Sequence, residues 1–187
     1  MDKLLQYQLN MIETGQLSQC YIYDNNSYGF SKNDYYRVEK ALKDGASRKK
    51  SLVGNSVSID VKHIADNCNV SIKNESFYST KINSFVLAYS EPKRRTVFID
   101  KSIINLMTSL IKKKFTNPYF YRKIADVFIA HELFHVLYTQ EFTDDRLEEV
   151  GADGFAMELT GIYLPRPFYD MILPELFIKL KNQNVFA

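Results

Sequence analysis

The sequence predicts an α+β fold, and two patterns carry that prediction. Apolar and polar residues alternate between residues 84 and 100, which indicates a β-hairpin. Helix-period apolar residues then follow, most clearly over about 119–139 and 145–160. With 187 residues, the chain has the length of one domain with a modest extension. Because the pattern sharpens near residue 58, we divide it into an extension, residues 1–57, and a domain, residues 58–187.

The extension is predicted to be partly helical and partly irregular. Apolar residues near helical spacing predict a short helix over residues 1–14, and the Tyr- and Asn-rich segment 20–30 is typical of a loop or irregular strand. A second helix is predicted over 33–44. Residues 45–56 hold two glycines and a basic run, so we expect an exposed connection there.

Short elements open the domain. Asp60 is the predicted N-cap of a short helix, and alternation at residues 70–72 predicts a strand. The hairpin over 84–100 is expected to turn at residues 91–94, where a proline interrupts the alternation. Ser102 is the predicted N-cap of the helix that follows.

Three helices complete the domain. The first is predicted over 119–139. Asp145 and Glu148 have the spacing of a capping box, which predicts the start of the second helix. Gly161 is a natural C-terminal end for that helix. An amphipathic helix over 169–180 is predicted last.

Composition and charge argue against several classes of protein. A formal net charge of +2 is too small for a typical nucleic-acid-binding domain, so we expect no direct nucleic-acid binding. No apolar stretch approaches the roughly 18 residues of a membrane span, and the first residues lack a signal-peptide pattern. Cys20 and Cys68 have no paired spacing and are expected to be free thiols in a reducing compartment. We therefore expect a cytoplasmic protein without a membrane partner.

Residues 131–135 form the one motif with clear chemical content, His-Glu-Leu-Phe-His. On a helix, His131 and His135 lie on the same face, one turn apart, so both rings can reach one metal ion. Zinc binds neutral histidine nitrogen well, and Glu132 then stands where a general base reaches a metal-activated water. The chain has only three histidines, which makes a chance match improbable. The motif predicts one Zn²⁺ per chain and Glu132 as the catalytic residue.

A catalytic zinc ion usually has three protein ligands, so one more is needed. His63 has no metal spacing and is expected to be structural or to lie on the surface. The third ligand should then be a carboxylate of the next helix, with Glu149 as the candidate and Glu148 as its competitor. Asp153 lies four residues after Glu149 on the same face and is expected to hydrogen-bond the outer nitrogen of a ligating histidine.

Two further expectations concern the surroundings of the site. Gly151 and Gly154 are unfavourable inside a helix, and close packing on the histidine-bearing helix would explain them. A donor should also stabilise the oxyanion of the transition state, and either Tyr138 or Tyr163 is available for it. Two functions fit these residues: a zinc-dependent endopeptidase, or a zinc-binding regulatory protein that acts by partner binding without proteolysis.

The motifs resemble the ImmA/IrrE group of gluzincin-type metallopeptidases. The resemblance is carried by residues 130–135, by the pattern Glu-x-x-Ala-Asp-x-Phe-Ala at 149–156, and by Leu164-Pro165, and it covers about residues 58–167. It implies a compact zincin-like core, with a small twisted sheet packed on the active-site helix and a following glutamate-bearing helix. It also implies cytoplasmic regulatory proteolysis in bacteria or phage, with a protein substrate such as a helix-turn-helix repressor that binds DNA.

By position, the resemblance assigns His131, His135 and Glu149 as ligands and Glu132 as the base. The chain departs from the family pattern at Phe134, where glycine is usual, and at Thr139, where histidine is common. We expect the bulky Phe134 to narrow substrate access. Residues 1–50 lie outside the resemblance, and we consider them a candidate inhibitory segment over the cleft.

Overall fold

The computed structural model describes residues 11, 14, 16–22, 28–54, 60–76, 86–114, 121, 123–138, 142–163, 169 and 172–182. Within these residues the fold is mixed α and β, mostly helical, with a three-stranded sheet. The predicted α+β class is confirmed at this level. None of the helices in this part of the chain is long and apolar enough to cross a bilayer.

The elements follow one another along the chain with helices before, between and after the strands. They are α1 (Tyr35–Val53), α2 (Val61–Asn67), β1 (Ser71–Asn74), β2 (Ala88–Glu91), β3 (Thr96–Ile99), α3 (Lys101–Lys114), α4 (Ile124–Leu137), α5 (Asp145–Thr160) and α6 (Leu173–Asn182). Short 3₁₀ turns lie at Leu17–Tyr21, Lys32–Asp34 and Pro92–Arg94.

Strand β3 is the central strand of the sheet and is buried along its whole length. Strand β1 runs parallel to it, with Ser71 opposite Thr96, and β2 runs antiparallel, with Ala88 opposite Ile99. The β2–β3 pair confirms the predicted hairpin from residue 88 onward, and its turn is the 3₁₀ turn Pro92–Arg94. The first residues of the predicted hairpin lie outside the described part of the chain.

Helix α4 lies at the centre of the main hydrophobic core. It is buried on nearly every side, which is typical of an interior helix. Val97 and Ile99 of β3 belong to the same core, together with apolar residues of α2, α3, α5 and α6. The helix predicted over 119–139 is confirmed from Ile124 to Leu137, and residues 119, 120 and 139 are not among those described.

Aspartate side chains cap three of these helices. Asp60 caps α2, as predicted, and accepts a hydrogen bond from the backbone N–H two residues later. The predicted cap of α3 at Ser102 is wrong: the Asp100 carboxylate accepts from the N–H groups of Ser102 and of the next residue, at 3.0 and 3.1 Å. Similarly, Asp144 rather than Asp145 caps α5. A carboxylate just before the helix reaches the free N–H groups of the first turn.

Helix α1 is longer than predicted, because it continues through the segment expected to be an exposed connection. The helix predicted over 33–44 runs to Val53. Gly45 suggested a break, but it lies where α1 crosses α5. A Cβ atom on Gly45 would lie 1.8 Å from the carbonyl oxygen of Gly151. The glycine therefore permits a close helix crossing and does not end the helix.

The glycines of α5 have a different partner from the one predicted. A Cβ atom on Gly154 would lie 2.3 Å from the carbonyl oxygen of Leu42 in α1. A Cβ atom on Gly151 would meet the ring of Phe142 at 2.7 Å and that of Phe134 in α4 at 3.4 Å. The prediction that Gly154 packs closely on the histidine-bearing helix is thus wrong. Gly154 instead allows α1 to pack closely against α5.

The described part of residues 1–57 shares a second hydrophobic cluster with α5. On one side are Tyr21, Phe30, Val38 and other apolar residues of this part, and on the other are apolar residues of α5. The cluster also contains Cys20. The predicted boundary at 57/58 falls outside the described residues and stays a prediction, as does the helix predicted over 1–14, of which residues 11 and 14 alone are described.

The two cysteines should differ strongly in reactivity. Cys20 is fully buried, and burial raises the pKa of its thiol to about 12, whereas Cys68 is half-buried. Because the thiolate is the reactive form, we expect a disulfide reagent at pH 8 to modify Cys68 alone in the folded protein and both thiols in urea. Absorbance of the released thiol measures this. The Cys68→Ser variant is the control, and a rapidly reacting thiol in that folded variant would contradict the prediction.

Candidate metal centre

Helix α4 presents the two histidines of the motif on one face, one turn apart. The Nε2 atoms of His131 and His135 lie 3.3 Å from each other. His131 is buried, and His135 is slightly more accessible. His63, in contrast, is exposed on α2, so of its two predicted roles, structural or surface, the structure shows the surface position.

Helix α5 brings Glu149 to the same point. One carboxylate oxygen lies 3.1 Å from Nε2 of His131, and the other lies 3.4 Å from Nε2 of His135. The Glu149 side chain is 39% exposed, so the site opens to solvent on this side. His131, His135 and Glu149 form a group whose ligand atoms could hold a metal ion.

The spacing of these donor atoms fits zinc. A tetrahedral zinc ion with ligand distances of about 2.0–2.1 Å separates its donor atoms by about 3.3–3.4 Å. The two Nε2 atoms lie 3.3 Å apart, in agreement with this value. Each of them also has a Glu149 oxygen at a similar distance, 3.1 Å from His131 and 3.4 Å from His135, and these are the two different oxygens of the carboxylate. Two imidazole nitrogens and one carboxylate are also a donor set that catalytic zinc sites use. The residues therefore suit a three-ligand site.

Each histidine has a carboxylate at its outer nitrogen. Nδ1 of His131 lies 2.8 Å from Oδ1 of Asp153, the contact predicted for that aspartate. Nδ1 of His135 lies 2.9 Å from Oε1 of Glu148. With Nδ1–H donating to a carboxylate, Nε2 of each ring is the atom left to face Glu149. Glu148 thus lies at the outer side of the His135 ring, not between the two Nε2 atoms where a third ligand would be.

The charges of the site explain its shifted pKa values. Burial lowers the pKa of His131, but hydrogen bonds to Asp153 and Glu149 outweigh it and raise the pKa to about 10. At His135, burial lowers the pKa and the hydrogen bond to Glu149 raises it, and the net result is a raised pKa. Burial raises the pKa of Glu149, but its two histidine partners lower it overall. A metal ion entering the site must therefore displace protons from the histidines.

Glu132 is buried beside this cluster. Its side chain follows His131 directly on α4 and is 8% exposed. Its negative charge contributes to the raised pKa values of His131 and His135, which places the carboxylate within electrostatic reach of both rings. A buried carboxylate near the candidate metal ligands is suited to accept and return a proton.

Phe134 does not form a wall of the cleft, so the expectation that it narrows substrate access is wrong. Its side chain is fully buried. Its ring centroid lies 5.3 Å from that of Tyr138, 6.1 Å from that of Phe142 and 5.7 Å from that of Phe155. The ring fills the core behind the site, next to Phe142, and the absence of a side chain at Gly151 makes room for the Phe142 ring.

The two predicted oxyanion donors lie in different surroundings. The Tyr163 hydroxyl donates to Glu158 at 3.0 Å. Glu158 is nine residues beyond Glu149, about 13 Å along α5, so this contact gives no support to a role for Tyr163 at the site. Tyr138 directly follows the last residue of α4 and packs against Phe134, with the Arg48 guanidinium 5.3 Å from its ring centroid. Its role as an oxyanion donor stays a prediction.

One residue close to the site was missed in the sequence. The Tyr21 hydroxyl donates to Oδ2 of Asp153, and the Tyr21 side chain is fully buried. Burial and the nearby Asp153 charge raise the pKa of Tyr21 well above its ordinary value, so the phenol keeps its proton. No local pattern indicates this contact, because the two residues are 132 positions apart.

Comparisons with protein-family models, with curated proteins and with solved structures gave no match. The resemblance to the ImmA/IrrE group therefore rests on the motifs in the sequence and stays a prediction.

Proposed function

We propose that this protein is a zinc-dependent peptidase with one zinc ion per chain. The observation that supports the proposal is the cluster of His131, His135 and Glu149, in which the two Nε2 atoms lie 3.3 Å apart and each lies within 3.4 Å of a Glu149 oxygen. Glu132, buried next to it, supplies the remaining group that peptide hydrolysis requires. The exposed side of Glu149 leaves an approach for a large substrate.

Each side chain of the site has a separate role in the proposed reaction. His131, His135 and Glu149 would hold the metal, while Asp153 and Glu148 fix the orientation of the two rings. Zinc, when bound, supplies a Lewis acid that polarises the scissile carbonyl and makes a water molecule more acidic. Glu132 accepts a proton as the water oxygen bonds to the carbonyl carbon. It then donates that proton to the amine nitrogen as the carbon–nitrogen bond breaks.

The motif resemblance and the two thiols support a proposal for the substrate and the compartment. We propose regulatory cleavage of a protein such as a DNA-binding helix-turn-helix repressor, which the resemblance to the ImmA/IrrE group implies. Neither Cys20 nor Cys68 is in a disulfide in the described part of the chain, which fits the reducing cytoplasm that we propose as the compartment.

Zinc content tests the proposal directly. We expect about one zinc per wild-type chain, since the donor set matches a three-ligand site, and near zero in Glu149→Gln. Glu148→Gln changes the same charge one residue earlier and should keep zinc, with affinity lowered about 10–100-fold. Elemental analysis after zinc loading and desalting, on protein purified without metal-affinity resin, measures the content.

Two results would count against this assignment. Wild-type protein without zinc would overturn the zinc site. Zinc retained in Glu149→Gln but lost in Glu148→Gln would make Glu148 the third ligand. Circular dichroism of the two variants should match that of the wild type, because each exchange preserves the size of the side chain.

A further inference from the structure

We infer that Tyr21 is a positioning residue of the metal centre, and that the N-terminal segment is thereby part of the centre. The inference rests on the proposed zinc site. Tyr21 lies outside residues 58–167, where the motif resemblance is found, so nothing in the motifs assigns it a role. The structure nonetheless brings its hydroxyl to Asp153, the carboxylate that orients His131.

The contact forms a continuous chain of hydrogen bonds that ends at a zinc donor. The Tyr21 hydroxyl donates to Oδ2 of Asp153, while Nδ1–H of His131 donates to Oδ1 of the same carboxylate at 2.8 Å. Each oxygen of Asp153 thus has a directed donor, which fixes both the position and the rotation of the carboxylate. Asp153 is only 6% exposed, so bulk water cannot readily replace the phenol.

Tyr21 is itself held by a packed aromatic segment. Its ring lies 5.7 Å from that of Tyr28, which stacks on Phe30 at 6.0 Å. Arg146, in the first turn of α5, lies 5.0 Å over the Phe30 ring and donates to the backbone oxygen of Tyr28. The segment is therefore fastened to the same helix that carries Glu149 and Asp153. A rigid support of this kind is what a precisely oriented ligand needs.

The side from which Tyr21 approaches matters for its role. Asp153 contacts Nδ1 of His131, whereas Glu149 and His135 contact Nε2 on the other side of the ring. Tyr21 thus acts, through Asp153, on the Nδ1 side of the His131 ring, opposite the Nε2 atom that would bind zinc. This contact supports the site and does not cover it, which differs from the inhibitory role we considered for residues 1–50.

The experiment compares zinc affinity among full-length variants that each lose one buried hydroxyl. Tyr21→Phe should bind zinc about tenfold more weakly or worse, as measured by competition with a chromogenic chelator. Tyr169→Phe is the matched control, because Tyr169 is also buried but packs against Phe128 in the main core. Its affinity should equal that of the wild type.

A second measurement separates positioning from general loosening of the fold. With ¹⁵N-labelled histidine the chain gives signals from only three imidazoles. The Nδ1–H signal of His131, identified by its change in Asp153→Asn, should shift in zinc-loaded Tyr21→Phe and stay unchanged in Tyr169→Phe. In an Asp153→Asn background, Tyr21→Phe should weaken zinc binding little further, because Tyr21 acts through that carboxylate.

The outcomes are distinct. Equal zinc affinity and an unchanged His131 signal in Tyr21→Phe would overturn the inference while leaving the zinc site intact. Equal weakening in Tyr169→Phe would also overturn it, since loss of any buried hydroxyl would then suffice. Wild-type protein that binds no zinc would remove the proposed function itself, and that result is visible before any variant is made.

Discussion

We expect Glu132→Gln to bind zinc as the wild type does and to hydrolyse peptide bonds roughly 10²–10⁴-fold more slowly. The exchange keeps the shape of the side chain and removes its ability to accept a proton. Among the described residues, Glu132 is not one of the three side chains whose ligand atoms form the candidate metal site, so metal content should not change. Cleavage of a mixed peptide library, followed by mass spectrometry with both proteins loaded to equal zinc content, measures the difference.

Glu158→Gln is the control for this experiment. It makes the same change of charge but on α5, near the end away from the candidate metal centre, where Glu158 contacts Lys49 and Tyr163. Its cleavage rate should equal that of the wild type. If the wild type and Glu132→Gln cleave at the same rate, Glu132 is not the base. If neither the wild type nor Glu132→Gln cleaves peptides, and a partner protein responds equally to the two, the protein is a zinc-binding regulator that acts without proteolysis.

Much of the candidate site follows from spacing within single helices. A separation of four residues places His131 beside His135 and Glu149 beside Asp153, whatever the rest of the fold does. The choice between Glu148 and Glu149 is different, because it depends on how α5 is rotated about its axis relative to α4. That rotation is set by contacts between helices, and in the structure it directs Glu148 to Nδ1 of His135 and Glu149 to the Nε2 atoms.

Contacts between residues far apart in the sequence could not be predicted from local sequence patterns. Tyr21 lies in a segment whose composition is typical of a loop, and its contact with Asp153 spans 132 positions. Gly45 has the local signature of a break, yet it lies inside α1 because α5 passes directly over it. In both cases a tertiary contact decides the role of the residue, and no pattern among its neighbours records that contact.

The substitution Gly45→Ala, at the crossing of α1 and α5, has the largest expected effect on stability. Alanine has a higher helix propensity than glycine by about 1 kcal/mol, so Gly45→Ala would stabilise an isolated helix. Here the added Cβ atom would lie 1.8 Å from the Gly151 carbonyl oxygen, which is part of the backbone and cannot rotate away. The helices must separate, and neighbouring contacts such as Gly154 on Leu42 must loosen with them. We expect a net loss of about 3 kcal/mol in the free energy of unfolding, at the upper end of the cost of overpacking.

Urea denaturation followed by circular dichroism measures this loss, and thermal unfolding should show a midpoint lower by roughly 6–12 °C. Ser47→Ala, an exposed position two residues later on the same helix, should change stability by no more than about 0.5 kcal/mol. Because α5 carries Glu149, a separated crossing should also weaken zinc binding in Gly45→Ala. A Gly45→Ala protein as stable as the wild type would mean that the two helices do not approach this closely. The support that α1 gives to the helix carrying Glu149 would then have to come from the second hydrophobic cluster alone.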